Sequence, residues 1–154
     1  MAQLHTGSTA PDFRLIDQAG NPVELASFRG SKLLLYFYPK ADTPGCTTQA
    51  CSIRDAMPDF LGLGIQALGI SPDQPEVLKK FQDKYGLNFT LLSDPDHRAA
   101  DAYGTWGEKS MYGKKYDGII RSSFLLDETG KVIQAWYKIS PNDTVPYARE
   151  ALSV

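Results

Sequence analysis

Apolar residues along the chain fall into short continuous runs, separated by segments that mix polar and apolar residues. The longest apolar run lies within Lys32–Tyr38. It is typical of a central strand covered on both faces, and Pro39 ends it. Two further runs, Ile65–Ile70 and Phe89–Leu92, predict two more buried strands. The chain therefore places strands at regular intervals with room for a helix between each pair.

Helix signals fill those intervals. Thr43 and Pro44 are typical of a helix start, with threonine as N-cap and proline at the first helical position. Pro58 lies inside this helix, and we expect it to kink or end the helix because proline removes the bond to the carbonyl of Arg54. Further helices are predicted from Pro75 to Tyr85, from Asp94 to about Tyr103 and from Thr144 to Leu152.

Hairpins are expected at both ends of this order. The first joins Phe13–Ile16 to Val23–Leu25, and the second joins Ile119–Leu126 to Val132–Tyr137. Strand–helix–strand crossovers imply a parallel sheet centre, to which the last hairpin adds antiparallel strands. We expect an α/β three-layer sandwich of thioredoxin type, with an N-terminal β-hairpin extension, a mixed central sheet and a single domain over residues 1–154. Such a fold alone says little about function.

Composition and charge remove several function classes. The chain has 154 residues, with 16 basic and 18 acidic side chains and a net charge of −2, so a basic nucleic-acid footprint is not expected. The apolar run at residues 33–38 is too short to span a bilayer. Residues 1–13 show no basic segment followed by an apolar stretch, so no secretory signal is expected. We expect a cytoplasmic protein without a membrane partner; a mature organellar form stays open.

The chemistry points to two cysteines. Cys46 and Cys51 do not form a disulfide scaffold, and His5 and His97 are too distant in sequence to suggest a zinc site. If Thr43 is the N-cap, Cys46 lies in the first helical turn, where free backbone N–H groups and the helix dipole favour thiolate over thiol. The thiolate is the nucleophilic form. A reactive cysteine is therefore expected at Cys46.

Longer motifs around Cys46 allow a comparison with a known family. Pro39, Thr43 and Cys46 stand as in the P-x-x-x-T-x-x-C motif of peroxiredoxins, which this segment resembles. The longer segment is similar to the bacterioferritin comigratory protein, or peroxiredoxin Q, subfamily; it reads YFYPKADTPGCTTQACSIRD. Further matches are Ala10–Phe13, Tyr103–Lys109 and Gly118–Phe124, so the resemblance runs from Gly7 to at least Tyr137.

The resemblance implies a thiol-dependent peroxidase that reduces hydrogen peroxide and organic hydroperoxides in antioxidant defence. Cys46 would be the peroxidatic cysteine, whose thiolate becomes a sulfenic acid. Thr43 would position the peroxide, since its hydroxyl both donates and accepts hydrogen bonds. Arg121 would stabilise the charge that develops as the O–O bond breaks. Pro39 would shield the site from water.

The resemblance also implies that Cys51 is the resolving cysteine, which forms an intramolecular disulfide with Cys46. On an intact helix, Cα atoms five residues apart lie roughly 8–9 Å from each other, whereas disulfides need less than about 7 Å. The helix start must therefore unwind. Thioredoxin is the usual reductant of the family, with glutaredoxin or glutathione as alternatives. No cofactor or metal is implied, and an intrachain partner for Cys46 favours a monomer over a dimer.

Other interpretations stay open at this point. Cys46 could be an inert buried cysteine, Cys51 a small core residue, and Arg121 an edge-strand surface residue. A thiol–disulfide oxidoreductase or a non-enzymatic module, such as a holdase or metallochaperone, are the rival classes. For the segment that holds Trp106, Met111, Tyr112, Tyr116 and the lysine pair Lys114 and Lys115, we expect an exposed surface loop.

Overall fold

A seven-stranded mixed sheet forms the centre of the fold. The structure is a computed structural model and describes residues 3–154. The strands along the described chain are β1 (Arg14–Asp17), β2 (Pro22–Glu24), β3 (Lys32–Phe37), β4 (Ile65–Ser71), β5 (Thr90–Ser93), β6 (Trp106–Met111), β7 (Lys114–Ile119), β8 (Ser122–Leu126) and β9 (Val132–Trp136). Strands β6 and β7 pair with each other outside the central sheet. The sheet order is β2-β1-β5-β4-β3-β8-β9. Strand β4 pairs in parallel with β3 and β5, and the two edge hairpins are antiparallel.

Helices cover both faces of this sheet. They are α1 (Pro44–Gly62), α2 (Pro75–Tyr85), α3 (Arg98–Ala102) and α4 (Thr144–Leu152), and a short 3-10 helix spans Leu25–Phe28. Successive side chains of β3 point to opposite faces. One set packs under α1, α2 and α4 and consists of Leu34, Tyr36 and Tyr38. The other packs on the side of α3 and consists of Leu33, Leu35 and Phe37. The predicted three-layer α/β arrangement with a mixed sheet is therefore confirmed.

Helix α1 continues through Pro58 to Gly62, so the prediction that this proline could end the helix is wrong. The proline leaves the carbonyl of Arg54 without its helical donor. The side-chain amide of Asn88 takes that place, with Nδ2 donating to the Arg54 carbonyl oxygen at 3.1 Å. Pro58 itself is exposed. A contact from another part of the chain thus keeps the helix long.

Helix α3 begins at Arg98, later than the predicted start at Asp94. Asp94 stays in the preceding loop, where its buried carboxylate accepts the backbone N–H groups of Ala99 and Ala100 at 3.4 and 3.0 Å. Asp94 therefore acts as an acceptor for the first turn instead of belonging to it.

The segment predicted as a surface loop is a two-stranded hairpin. Strands β6 and β7 pair from Trp106 with Ile119 to Met111 with Lys114, and the tip residue Tyr112 is 97% exposed. The exposure was expected but the strand pairing was not. The ring of His97 stacks on Trp106, with centroids 3.9 Å apart. This contact leaves Trp106 half-buried.

The predicted strand Ile119–Leu126 is divided between two sheets. Ile119 ends β7 and Ser122 begins β8, so Arg121 lies at the break between them. A residue at such a break is free of ladder pairing on both sides, and its side chain can leave the plane of either sheet. None of the helices in residues 3–154 combines the length and the apolar character needed to cross a bilayer.

Candidate active site

Cys46 lies in the first turn of α1, beyond the carboxyl end of β3. Thr43 is the N-cap with extended backbone, and Pro44 occupies the first helical position, as predicted. The Cys46 side chain is only 1% exposed and joins the apolar cluster beneath α1. Cys46 and Cys51 are both free thiols, and Cys51 is half-buried. The structure therefore shows the reduced, fully folded form of the site.

The guanidinium of Arg121 reaches the sulfur. Its Nη2 donates to Cys46 Sγ at 3.4 Å, across a sequence separation of 75 residues. A permanent cation at this distance stabilises negative charge on sulfur. Arg121 thus points into the site, unlike the surface arginine considered as the alternative.

A second contact fixes the orientation of that guanidinium. Arg121 Nη1 donates to Gln49 Oε1 at 2.6 Å, and Gln49 Nε2 donates to Thr144 Oγ1 at 2.9 Å. The hydroxyls of Thr144 and Ser123 share a further hydrogen bond of 3.0 Å. Gln49, Thr144 and Ser123 are all fully buried. This chain of hydrogen bonds ties the arginine to α1, α4 and β8 together.

Sequence reasoning missed Gln49, although one signal was present. Gln49 stands three residues after Cys46, and positions three apart share a helix face. A long polar side chain on the face that carries a reactive cysteine is unusual in an apolar layer, where buried polar groups need partners. That partner, Arg121, could not be placed without the fold.

Thr43 serves as N-cap by its backbone alone. Its carbonyl accepts the N–H of Thr47 at 2.8 Å, but its hydroxyl makes no capping hydrogen bond. The hydroxyl instead donates to the carbonyl of Lys40 at 2.8 Å. With its proton engaged there, the Thr43 oxygen keeps its lone pairs for accepting a hydrogen bond from another group. Pro39 follows the strand that leads to this loop and is half-buried.

Close approach explains the glycine before Cys46. A Cβ atom at Gly45 would lie 3.2 Å from Arg121 Nη2 and 3.3 Å from Pro141 Cγ. Both distances are below ordinary van der Waals contact for such atoms. Gly45 therefore lets the guanidinium lie against the first turn of α1.

A second cation lies in the field of the site. Burial lowers the pKa of the Lys109 ammonium, and the positive charge of Arg121 lowers it further, while Cys46 acts in the opposite direction. Beneath the cysteine, Tyr36 and Tyr38 stack with ring centroids 5.3 Å apart. Burial raises the pKa of Tyr36. The floor of the site is thus aromatic and its rim is cationic.

No cluster of three or more histidine, cysteine, aspartate or glutamate side chains in residues 3–154 could hold a metal ion. His5 is exposed, and His97 Nδ1 lies 2.9 Å from Asp101 Oδ2.

Comparison with known proteins identifies the family of the chain. The model of the AhpC/TSA family matches residues 6–135. Peroxiredoxin Bcp of Escherichia coli K12 is 54% identical over 132 residues, which cover 86% of this chain and 85% of the relative. Peroxiredoxin Bcp of Bacillus subtilis 168 is 42% identical over 149 residues, covering 97% and 95%.

Solved structures give the same result for the fold. A mutant of Xylella fastidiosa PrxQ superposes with a TM-score of 0.92 at 28% identity, covering 99% of this chain and 98% of that one. Xanthomonas campestris bacterioferritin comigratory protein, solved as trapped intermediate and ligand complexes, gives 0.88 at 36% identity with coverage of 99% and 98%. The thioredoxin-like architecture and the resemblance seen in the sequence are therefore confirmed. The chain belongs to the AhpC/TSA family, and within it to the peroxiredoxins of the bacterioferritin comigratory protein or peroxiredoxin Q group, which are thiol-dependent peroxidases.

Proposed function

We propose that the protein reduces hydrogen peroxide and organic hydroperoxides at Cys46, with Cys51 as the resolving thiol. The observation that carries this proposal is the 3.4 Å contact between Arg121 Nη2 and Cys46 Sγ. The alkyl peroxide reduction activity described for the Xanthomonas campestris relative supports the organic substrates. The whole chain would act as one thioredoxin-fold domain.

In the first step, the Cys46 thiolate attacks one peroxide oxygen and breaks the O–O bond. The sulfur becomes a sulfenic acid, and the other oxygen leaves as water or an alcohol after taking up a proton. Arg121 holds its charge where the leaving oxygen becomes negative. The Thr43 hydroxyl oxygen accepts a hydrogen bond from the peroxide O–H and thereby orients the substrate.

Access to the sulfur requires a small movement, because Cys46 is 1% exposed. Pro39 and Thr43, which the proposal places on the path of the peroxide, are half-buried. Pro39 then limits how much water follows the substrate into the site.

In the second step, the Cys51 thiolate attacks the sulfenic sulfur and forms the S–S bond, and the sulfenic oxygen leaves as water after taking up a proton. Both cysteines lie on the continuous helix α1, where Cα atoms at this spacing are roughly 8–9 Å apart. The first turns of α1 therefore unwind before the bond closes. A dithiol or thiol reductant, of the thioredoxin, glutaredoxin or glutathione class, then restores both thiols. We propose that the protein works as a cytoplasmic monomer, because no second subunit has to supply a cysteine.

The test adds stoichiometric hydrogen peroxide to the reduced protein and follows intact mass and free thiols. We expect rapid loss of two thiols with a mass decrease of about two hydrogens. Cys46→Ser should abolish the reaction, and Cys51→Ser should trap sulfenic acid or carry it to sulfinic acid. Normal peroxide consumption by both variants would refute these roles. A protein that ignored peroxide but exchanged disulfides with protein substrates would be an oxidoreductase of the rival class.

A further inference from the structure

The segment that has to unwind is fastened to α2 just before its first residue. The carboxylate of Asp42 accepts a hydrogen bond from Lys84 Nζ at 2.8 Å through Oδ2 and one from the Tyr85 hydroxyl at 2.7 Å through Oδ1. Lys84 and Tyr85 are the last two residues of α2. Asp42 immediately precedes the N-cap of α1, so these bonds hold the point where the helix begins.

The same end of α2 also fastens the far side of that segment. Arg54 Nη1 donates to the carbonyl of Tyr85 at 2.8 Å, and Asn88 Nδ2 donates to the carbonyl of Arg54. Cys46 and Cys51 both lie between Asp42 and Arg54. Residues 43–53 are therefore a segment with both ends attached to one turn of a neighbouring helix.

The backbone at Asp42 shows why this attachment matters for the loop. Asp42 has φ of 59°, a left-handed conformation that costs a non-glycine residue energy unless local contacts compensate. Its two side-chain bonds to α2 are such contacts. The next backbone group toward β3 is fixed as well, because the N–H of Ala41 donates to Asp73 Oδ2 at 2.7 Å. Without the bonds of Asp42, the strained turn that presents Thr43 and Pro44 would be less favoured.

We propose that Asp42 is a positioning residue for the resolution step: its attachment to Lys84 and Tyr85 keeps the first turn of α1 folded and thereby limits how fast Cys46 and Cys51 can meet. The inference rests on the proposed function. Asp42 touches neither sulfur, so it affects the O–O cleavage at Cys46 only through the turn that presents Thr43, and asparagine at this position can keep that turn. The hydrogen bonds of Arg54 determine where the unwinding stops, since the helix beyond Arg54 stays folded while residues 43–53 open.

Loss of the Asp42 contacts should affect disulfide formation much more than the reaction of Cys46 with peroxide. Releasing Asp42 raises the fraction of molecules in which the start of α1 is unwound, so the sulfenic acid reaches Cys51 sooner. Oxidation to sulfinic acid at high peroxide should fall for the same reason, because it competes with disulfide formation. The first step needs the folded turn, and a small rise in the unwound fraction leaves it nearly unchanged.

The experiment compares Asp42→Asn and Tyr85→Phe with the wild-type chain. Asparagine tolerates the left-handed conformation while losing the charge, and phenylalanine removes only the hydroxyl donor. Asp83→Asn is the matched control. Asp83 forms a similar exposed pair with Lys79 at 3.0 Å on α2, and its substitution changes the net charge by the same amount. Rapid quench with intact-mass analysis gives the second-order constant for Cys46 oxidation and the first-order constant for disulfide formation.

We expect the first-order constant to rise about two- to fivefold in Asp42→Asn and Tyr85→Phe, as the loss of one exposed pair or hydrogen bond suggests. The second-order constant should stay within about twofold, and Asp83→Asn should change neither. Hydrogen exchange of residues 43–53 in the reduced protein should quicken in the same two variants only. An unchanged or smaller first-order constant would overturn the role of Asp42 and leave the proposed function intact. A wild-type chain that forms no disulfide at all would overturn both.

Discussion

Replacement of Gln49 tests whether the orientation of Arg121, and not its charge alone, supports peroxide reduction. Gln49→Met keeps the side-chain length and the apolar packing but removes the acceptor that lies 2.6 Å from Arg121 Nη1. Thr144 keeps Ser123 as a partner, so a single contact is lost on the arginine side. The guanidinium then loses a hydrogen bond that holds it against the sulfur.

The size of the effect follows from the kind of bond removed. A hydrogen bond to a charged group contributes about 1.5–3 kcal/mol. The second-order rate constant falls at most roughly 10- to 150-fold, the limit in which the whole contribution is lost from the transition state and none from the reduced protein. Part of the same free energy is lost from the reduced fold, because Gln49 is fully buried. We therefore also expect the free energy of unfolding to fall by about 1–3 kcal/mol.

Single-turnover oxidation of Cys46 by hydrogen peroxide measures this constant apart from resolution. Gln66→Met is a control of matched chemistry, since Gln66 makes a long hydrogen bond of 3.3 Å to Ser31, outside the active-site contacts. Gln49→Glu should act between wild type and Gln49→Met: it restores an acceptor for Arg121 but adds a negative charge near the sulfur. A Gln49→Met protein that reacts within twofold of wild type, or a glutamate variant slower than the methionine one, would refute the reasoning.

Three further substitutions test other parts of the structure. Gly45→Ala pushes a methyl group against the guanidinium, so we expect peroxide reduction to slow about tenfold with no loss of stability, because alanine favours helix; an unchanged rate would contradict the close approach. Gly69→Ala would place a Cβ 2.9 Å from the ring and hydroxyl of Tyr36, and urea denaturation should show stability lower by about 1–3 kcal/mol, whereas no loss would mean that the ring moves aside freely. Asn88→Ala should lower the free energy of unfolding by about 0.5–1 kcal/mol in the wild-type background. It should lower it by almost nothing in a chain that already carries Pro58→Ala, because that substitution restores the helical donor that Asn88 replaces; a double-mutant cycle without coupling would disprove the replacement.

The elements that the sequence predicted well are those whose signals are local. Residues 33–37 are continuously apolar, and all five are buried in β3, an inner strand of the sheet. Thr43 and Pro44 mark the helix start at the residue where α1 begins. In both cases the residue types required by the local conformation are adjacent in the chain, so no knowledge of the fold is needed.

The elements that it predicted poorly depend on distant partners. Pro58 carries a true helix-breaking signal, but Asn88, which replaces the lost bond, is separated from Arg54 by 34 residues. The contact between Arg121 and Cys46 spans 75 residues, and it was expected only because the chain resembles a family that has it. Neither contact leaves a trace in local periodicity, and the position of Gln49 on the helix face of Cys46 does not reveal Arg121 as its partner.

The two proposed chemical steps require opposite conformations of α1, and different neighbouring helices, α4 and α2, support them. Peroxide reduction needs the first turn folded, with Arg121 held by Gln49, which in turn binds Thr144 of α4. Disulfide formation needs that turn unwound. The residues on either side of the unwinding segment, Asp42 and Arg54, are hydrogen-bonded to the end of α2. Gln49 lies in the segment that unwinds, so a substitution in α4 should slow peroxide reduction and also loosen this segment. A substitution at the end of α2 should accelerate resolution with little effect on peroxide reduction. The proportion of sulfenic acid that proceeds to sulfinic acid can then be altered through α2 alone, with the reactivity of Cys46 toward peroxide kept constant.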